Sequence, residues 1–310
     1  MRIYENVTRA IIEEMEHGAV PWVRPWKTDR HNAGSVMPAN AVTGRSYSGI
    51  NVPILWASAD SNGYPSHAWM TFKQALEFNA HVRKGETGSL VVYADKITRA
   101  ETDATTGEEA ERAIPFMKGY TVFNVEQIDG LPSHFYAKPE PKGETVPRIE
   151  RAESFFAATR AQIVHGGSRA CYVTRTDSIH MPCIDCFRDA ESYYATLAHE
   201  ATHWTAHPSR LAREFGRKRW GDEGYAMEEL VAELGSVFLS ADLDLTPETR
   251  EDHAAYIASW IEVLKNDKRA IFTAASYAQR AVDFLHGEPK AANAQAEAAE
   301  PGTAANVEAT

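Results

Sequence analysis

The sequence predicts an α+β protein of two domains, and three observations carry that expectation. The chain has 310 residues, and domains run to about 150 residues. Its first 137 residues mix helical spacing with short β-branched and aromatic runs, whereas residues 148–286 are mostly helical stretches. Between them, Lys138-Pro139-Glu140-Pro141-Lys142-Gly143 clusters Pro and Gly amid charge, which reads as a linker over 138–147. Hydrophobic residues make up 44% and aromatics 10%, enough to bury real cores, so a wholly disordered chain is excluded.

Each element follows from local pattern. Ile3, Val7, Ala10, Ile11 and Met15 recur at helical spacing, and Gly18 followed by Pro21 ends that helix. In Pro21-Trp22-Val23-Arg24-Pro25-Trp26-Lys27, two prolines forbid a regular helix and hold two tryptophans on an irregular segment. Thr71-Phe72-Lys73-Gln74 fits a capping box that opens a helix near Phe72–Ala80. Leu90–Tyr93 and Tyr120–Val125 read as strands, and the Thr/Gly/Glu-rich stretch Glu101–Arg112 as a mobile hairpin loop. Beyond the linker, Ile149–Ala161 is helical, and Cys171–Val173 and Asp177–Pro182 carry short strand signals. Helices are expected at Asp189–Thr205, Ala226–Ser240, Glu248–Leu264 and Ile271–Leu285. Residues 287–310 are mainly Ala, Glu, Asn and Gln with little to bury, the composition of a disordered tail.

The formal net charge is −11, unevenly spread. Residues 1–99 hold 11 Lys+Arg against 9 Asp+Glu, while residues 141–310 hold 18 against 26. The overall balance lacks the basic footprint of a nucleic-acid-binding protein, so any such role must rest on local pattern in the near-neutral first third. No apolar run approaches the ~18–20 residues of a membrane span, and Met1–Asn6 lacks the basic-then-apolar pattern of a signal peptide. Three cysteines in so long a chain argue against a disulfide framework and for a reducing cytoplasm.

The sharpest chemical signal is His199-Glu200-Ala201-Thr202-His203, an H-E-x-x-H inside a predicted helix. Residues i and i+4 share a helix face, so both imidazoles can point at one ion while Glu200 lies beside them. Zinc held by three protein ligands keeps a fourth position for water, and a neighbouring glutamate can take that water's proton and pass it to a leaving amine. One Zn2+, with other divalent ions also possible, is therefore expected at His199 and His203, with Glu200 as the catalytic carboxylate. The third ligand is sought in Glu228-Glu229-Leu230-Val231-Ala232-Glu233, where Glu229 and Glu233 lie one above the other. Glu229 as ligand with Glu233 orienting a histidine is one arrangement, and Glu233 as ligand is the other. Cys183-Ile184-Asp185-Cys186 is a lone C-x-x-C where a structural zinc site needs two such pairs, so its cysteines are read as ordinary thiols. The basic stretch from Arg210-Leu211-Ala212-Arg213 to Arg217-Lys218-Arg219 reads as a solvated loop, with phosphate contact near the site as the sharper alternative.

In residues 1–99 aromatic side chains alternate with cations, as in proteins that stack single-stranded bases while cations follow the backbone. Candidate contacts are Trp22, Arg24, Trp26, Lys27, Arg45, Tyr47, Lys73, Arg83 and Lys84, with Trp56 and Trp69 expected in the core.

Several separate motifs together resemble the ArdC antirestriction family of conjugative plasmids. They are Val20-Pro21-Trp22-Val23-Arg24-Pro25-Trp26, Gly44-Arg45-Ser46-Tyr47-Ser48-Gly49-Ile50-Asn51, Tyr193–Glu200, His207-Pro208-Ser209-Arg210-Leu211 and Glu228–Leu234. The resemblance spans roughly residues 3–285. It implies an N-terminal single-stranded-DNA-binding domain (1–137) and a C-terminal zincin-like metallopeptidase domain (148–286), in a protein that helps incoming plasmid DNA escape host restriction. By the same resemblance the metal would lie on His199, His203 and Glu229, with Glu200 catalytic. Two functions then compete. One is a metalloprotease acting on a protein at or near the bound strand; the other is a coat that protects single strands by occupancy, its peptidase fold a non-catalytic scaffold. A peptidase with an unrelated first domain is a third. No membrane partner is expected.

Overall fold

The structure, a computed structural model, describes residues 2–16, 37–102, 109–136, 145–216, 223–245 and 253–287. The apolar stripe read from the sequence forms helix α1 (Arg2–Glu16), with Val7, Ile11 and Met15 buried and Ala10 left exposed at its margin. The expected tail beyond Gly287 and the linker residues 138–144 lie outside the described residues.

The first half is built on a four-stranded sheet of order β1-β2-β5-β4. Its strands are β1 (Ala39–Asn40), β2 (Ala68–Thr71), β4 (Ser89–Thr102) and β5 (Glu109–Asn124). β4 and β5 pair antiparallel from Ser89↔Val122 to Thr102↔Glu109. The two short strands read from the sequence are thus the base of one long ribbon. Residues 101–102 and 109–112, expected in a loop, are paired strand, because ladder hydrogen bonds override a Thr/Glu-rich composition; residues 103–108 lie outside the described set. Helix α3 (Phe72–Glu77) opens with the predicted capping box, Thr71 accepting from Gln74 N and Gln74 Oε1 from Thr71 N. A two-stranded pair, β3 (His81–Val82) with β6 (Ile128–Asp129), closes a small core around Met70, Ala75 and Val125.

Helix α2 (Asn51–Asn62) has no counterpart in the sequence reading. Pro53 sits in its first turn, where a missing N–H costs little, and Gly63 follows its end at φ +65. The Asn51 side chain donates to Val92 O and accepts from Val92 N, both at 2.8 Å, and so covers part of the free edge of β4. One side of α2 packs Leu55 and Ala59 on Trp69, Val91 and Val122 of the sheet. Trp56, on its other side, meets Phe238 of the C-terminal half with ring centroids 6.3 Å apart. Trp56 and Trp69 are both buried, as expected.

The second half opens with α4 (Thr145–Ala158), so residues 145–147, assigned to the linker by composition, form a helical first turn that accommodates Pro147. A three-stranded sheet of order β7-β9-β8 follows. β8 (Cys171–Val173) and β9 (Ser178–Met181) were legible; β7 (Gln162–His165), parallel to β9, was not. Four helices complete it: α5 (Ala190–Thr205), α6 (Glu223–Asp242), α7 (His253–Asn266) and α8 (Ala270–Leu285). α6 is the central one, buried almost continuously from Glu229 to Ala241. One hydrophobic core runs through these helices and takes in Val7, Ile11 and Met15 of α1, Val52 and Trp56 of α2, and Val92 of β4. Among the described residues, no helix is long and apolar enough to cross a membrane.

Candidate metal centre

The site is made where α5 and α6 cross closely. α5 starts at Asp189, whose carboxylate accepts from Ser192 N at 2.8 Å, and its body is set by buried Tyr193, Tyr194, Leu197, Ala198, Ala201 and Trp204. Ser236 Oγ donates to Ala195 O at 2.8 Å, and further along His203 meets Glu228, so the helices run antiparallel. Gly235 sets their separation: a Cβ there would lie 2.6 Å from both Thr202 Cγ2 and Oγ1. Only a residue without a side chain permits that approach, and the approach lets carboxylates of α6 reach imidazoles of α5.

Nε2 of His199 and Nε2 of His203 are 3.1 Å apart. Glu229 spans the pair, with Oε2 3.5 Å from His199 Nε2 and Oε1 3.6 Å from His203 Nε2. One ligand atom from each of the three residues lies within 4.8 Å of the others. Behind them, Glu233 Oε2 is 3.7 Å from His199 Nδ1, a buried nitrogen without a hydrogen bond, and Glu228 Oε1 is 3.1 Å from His203 Nδ1. Glu228 is gripped by Arg213, Nη2 to Oε1 at 2.7 Å and Nε to Oε2 at 2.8 Å. Glu200 is buried and accepts the backbone N–H of Tyr172, on edge strand β8, at 2.8 Å.

Charge explains the titration behaviour. Burial alone would push the His203 imidazole down, but hydrogen bonds and charge from Glu228 and Glu229 outweigh it and hold it up at about 10. Burial would raise Glu229, and the two imidazoles reverse this and hold its carboxyl well below the usual carboxylate range. Glu228 is likewise lowered against its burial, chiefly by Arg213. The carboxylates therefore draw a proton onto His203, and a divalent ion on the same donors would replace it. Two imidazole nitrogens and a carboxylate oxygen are a donor set that suits such an ion, and the residues present fit it.

The loop after α5 supports the site from the side. Arg210 stacks over Trp204 at 3.9 Å and reaches Asp177 in the β8–β9 turn, Nη1 to Oδ2 at 2.9 Å and Nη2 to Oδ1 at 2.5 Å. Tyr172 Oη donates to the same carboxylate at 2.9 Å. Arg210 and Arg213 are thus internal ties, which removes both from the phosphate-contact reading; Arg217, Lys218 and Arg219 lie outside the described residues.

The three cysteines are free thiols, Cys183 and Cys186 exposed and Cys171 half-buried. Of the candidate strand contacts, Arg45, Lys73, Arg83 and Lys84 are exposed, although Arg83 pairs with Glu86 at 2.8 Å and Asp129 at 3.4 Å. Tyr47 corrects the sequence reading: it is buried against Leu55, Trp69, Val91 and Val122, so its ring offers no stacking surface. Phe72, 51% exposed beside Lys73, does present its ring. Trp22, Arg24, Trp26 and Lys27 lie outside the described residues. The sequence reading did not single out Glu228, Tyr172 or Gly235, and it placed Arg213 in a basic stretch rather than beside the ligands. Glu228 stood in a quoted motif, but a residue adjacent to a ligand points elsewhere unless the path of the α5–α6 loop is known.

Residues 1–123 match the family model described as the N-terminal domain of anti-restriction factor ArdC. Residues 150–277 match that of a zincin-like metallopeptidase. The chain is 45% identical over 293 residues to the uncharacterized protein y4eC of Sinorhizobium fredii (strain NBRC 101917 / NGR234), covering 92% of each. It is 41% identical over 298 residues to an Escherichia coli DNA primase TraC, of whose length it spans 27%. Among solved structures it resembles the antirestriction ArdC protein from the R388 plasmid. The metal-free crystal structure superposes with a TM-score of 0.75 at 46% identity, covering 92% of this chain and 97% of that one. The Mn(II)-bound structure gives a TM-score of 0.73 at 44% identity, with the same coverage.

Proposed function

The chain belongs to the ArdC antirestriction family, and from that premise we propose that it binds single-stranded DNA and hydrolyses a protein associated with that DNA, helping incoming plasmid DNA to evade restriction. The observation that carries the hydrolytic part is the meeting of His199, His203 and Glu229 within 4.8 Å, with Glu200 next to His199 on the same helix. These three residues would hold one divalent ion, Zn2+ being the expected species and Mn2+ a second one with the Mn(II)-bound relative in its favour. When bound, such an ion polarises a carbonyl and lowers the pKa of a coordinated water.

Everything else is the work of the chain itself. Glu200 accepts the water's proton and returns it to the leaving amine, and the Tyr172 N–H fixes the carboxylate beside the histidines. β8 is the edge of its sheet, so an extended substrate segment can lie along it. Glu233 faces the second nitrogen of His199 and takes the orienting role. The single strand is held by the first half, where Phe72 offers a face and Arg45, Lys73 and Lys84 offer charge, together with Trp22, Arg24, Trp26 and Lys27. Three free thiols support placement in the reducing cytoplasm.

The test pairs two measurements. Fluorescence anisotropy of labelled single-stranded DNA, with duplex competitor and a salt titration, should show binding that prefers the single strand and weakens as salt rises. Glu200→Gln should retain metal and DNA yet lose roughly 10^2–10^4-fold in hydrolysis, and lose antirestriction with it. Intact antirestriction in that variant would favour the coating reading, and no binding at low salt would remove the DNA-directed one.

A further inference from the structure

We infer that Glu228 and Arg213 are positioning residues of the metal centre, which fix the nitrogen that His203 offers to the ion. The inference rests on the metal reading of His199, His203 and Glu229. A neutral imidazole carries its proton on one nitrogen and its lone pair on the other. His203 turns Nε2 towards His199 and Glu229 and Nδ1 towards Glu228 Oε1 at 3.1 Å. A carboxylate at Nδ1 draws the proton there and leaves the Nε2 lone pair directed at the ion.

Glu228 is itself held. Arg213 grips both of its oxygens with Nε and Nη2, a bidentate geometry that allows the carboxylate one orientation. The guanidinium is fully buried, and its other contacts return to the helix that carries His203: Nη2 to Thr202 O at 2.9 Å and Nη1 to Thr205 Oγ1 at 3.1 Å. The tie therefore starts at His203 on α5, crosses to α6 through Glu228, and comes back to α5 through Arg213. His199 is supported differently, since its Nδ1 makes no hydrogen bond and Glu233 stands 3.7 Å away. His203 is thus the imidazole fixed by a direct hydrogen bond, whereas the carboxylate facing His199 stands farther off.

The experiment is isothermal titration of the metal-stripped full chain with Mn2+ and with Zn2+. Glu228→Gln should weaken both about 10–100-fold. Because that change strands a buried guanidinium, the double variant Arg213→Met/Glu228→Gln is titrated beside it; it should fold and show the same loss. In zinc-loaded protein labelled at histidine nitrogen, the His203 Nδ1–H proton should resonate far downfield and move upfield in either variant, while His199 stays put. A folded variant that binds both ions as tightly as wild type overturns the inference. So does a wild-type spectrum in which zinc sits on Nδ1 of His203, whatever the variants do. Failure of the wild-type chain to bind either ion would sink the metal reading instead.

Discussion

Two imidazole nitrogens 3.1 Å apart with a buried carboxylate across both cannot rest there without a proton or a cation between them. His203, held at about 10 by Glu228 and Glu229 against its burial, therefore carries its proton at neutral pH in the metal-free protein. A histidine raised in this way adds stability that is fully present below its unfolded value of about 6.5 and is lost as pH rises through about 10. Metal binding near pH 7 should then expel roughly one proton per ion from this residue, and affinity should climb with pH across the whole interval. Calorimetry in two buffers of different ionisation enthalpy reads the proton count, and a count near zero at pH 7 would show that His203 is already neutral. The pairing of His199 with His203 could be read in the sequence because i, i+4 spacing is a local property of a helix, whereas the same pattern left Glu229 and Glu233 open as the third ligand until α5 and α6 were brought together. Glu228 and Arg213 could not be read there, since their partnership depends on a loop returning from α5 to α6. Tyr47 was misjudged because composition does not say which face of a ring is covered.

Elements meet in this protein through small residues and paired arginines. Gly235 is the contact on which the α5–α6 distance depends, and Gly235→Ala drives a methyl to within 2.6 Å of Thr202. We expect a loss of about 1–3 kcal/mol in thermal unfolding of the metal-stripped chain. Separating the helices also draws Glu229 away from the imidazoles, so the stabilisation gained on adding metal should shrink as well. An unchanged metal-induced shift in the variant would show that the helices repack without moving the ligands. Arg210 ties the end of α5 to the β8–β9 turn and, through hydrogen bonding first, holds Asp177 down at about 2. A depressed carboxylate gives stability present above its unfolded value near 3.9 and lost as pH falls through about 2. Arg210→Met should therefore flatten the acid limb of the stability curve between about pH 4 and 2; acid titration followed by circular dichroism measures it. The capping box of α3 and the helices of the second half could be read from sequence because each announces itself locally. α2 and β7 could not: α2 is apolar on two sides, towards the sheet and towards Phe238, which erases its stripe, and β7 is four residues stabilised by a parallel neighbour. The Gly44–Asn51 motif that helped carry the family resemblance now has structural roles, with Tyr47 in the core, Gly49 N donating to Gln279 and Asn51 on the edge of β4.

At the scale of the whole molecule, two family models divide the chain at 1–123 and 150–277, while the packing does not divide there. α1 lies on the C-terminal helices. Tyr4 meets the edge of Phe272 at 4.6 Å, Thr8 Oγ1 donates to Lys268 O at 2.7 Å, and Val7, Ile11 and Met15 fill the core shared with Val263, Leu264 and Ile271. Salt bridges from Lys265 to Glu16 and Lys268 to Glu5 are exposed and add little beyond orientation. Burying three such apolar side chains is worth about 1.5–3 kcal/mol each, an upper estimate that is nonetheless comparable with the roughly 5–15 kcal/mol that holds a domain folded. A fragment of residues 148–286 should therefore be unstable although it carries every metal-centre residue, and its metal affinity should be poor. Adding a synthetic peptide of residues 1–16 should restore both the unfolding transition and metal binding, because it replaces the missing wall of the core. If the fragment alone unfolds cooperatively and binds metal as the full chain does, the peptidase half is autonomous and α1 merely rests upon it. If the peptide rescues it, the segment that begins the N-terminal half is also a structural part of the half that carries the metal centre. A change at α1 would then reach α8, and through α6 the ligands themselves.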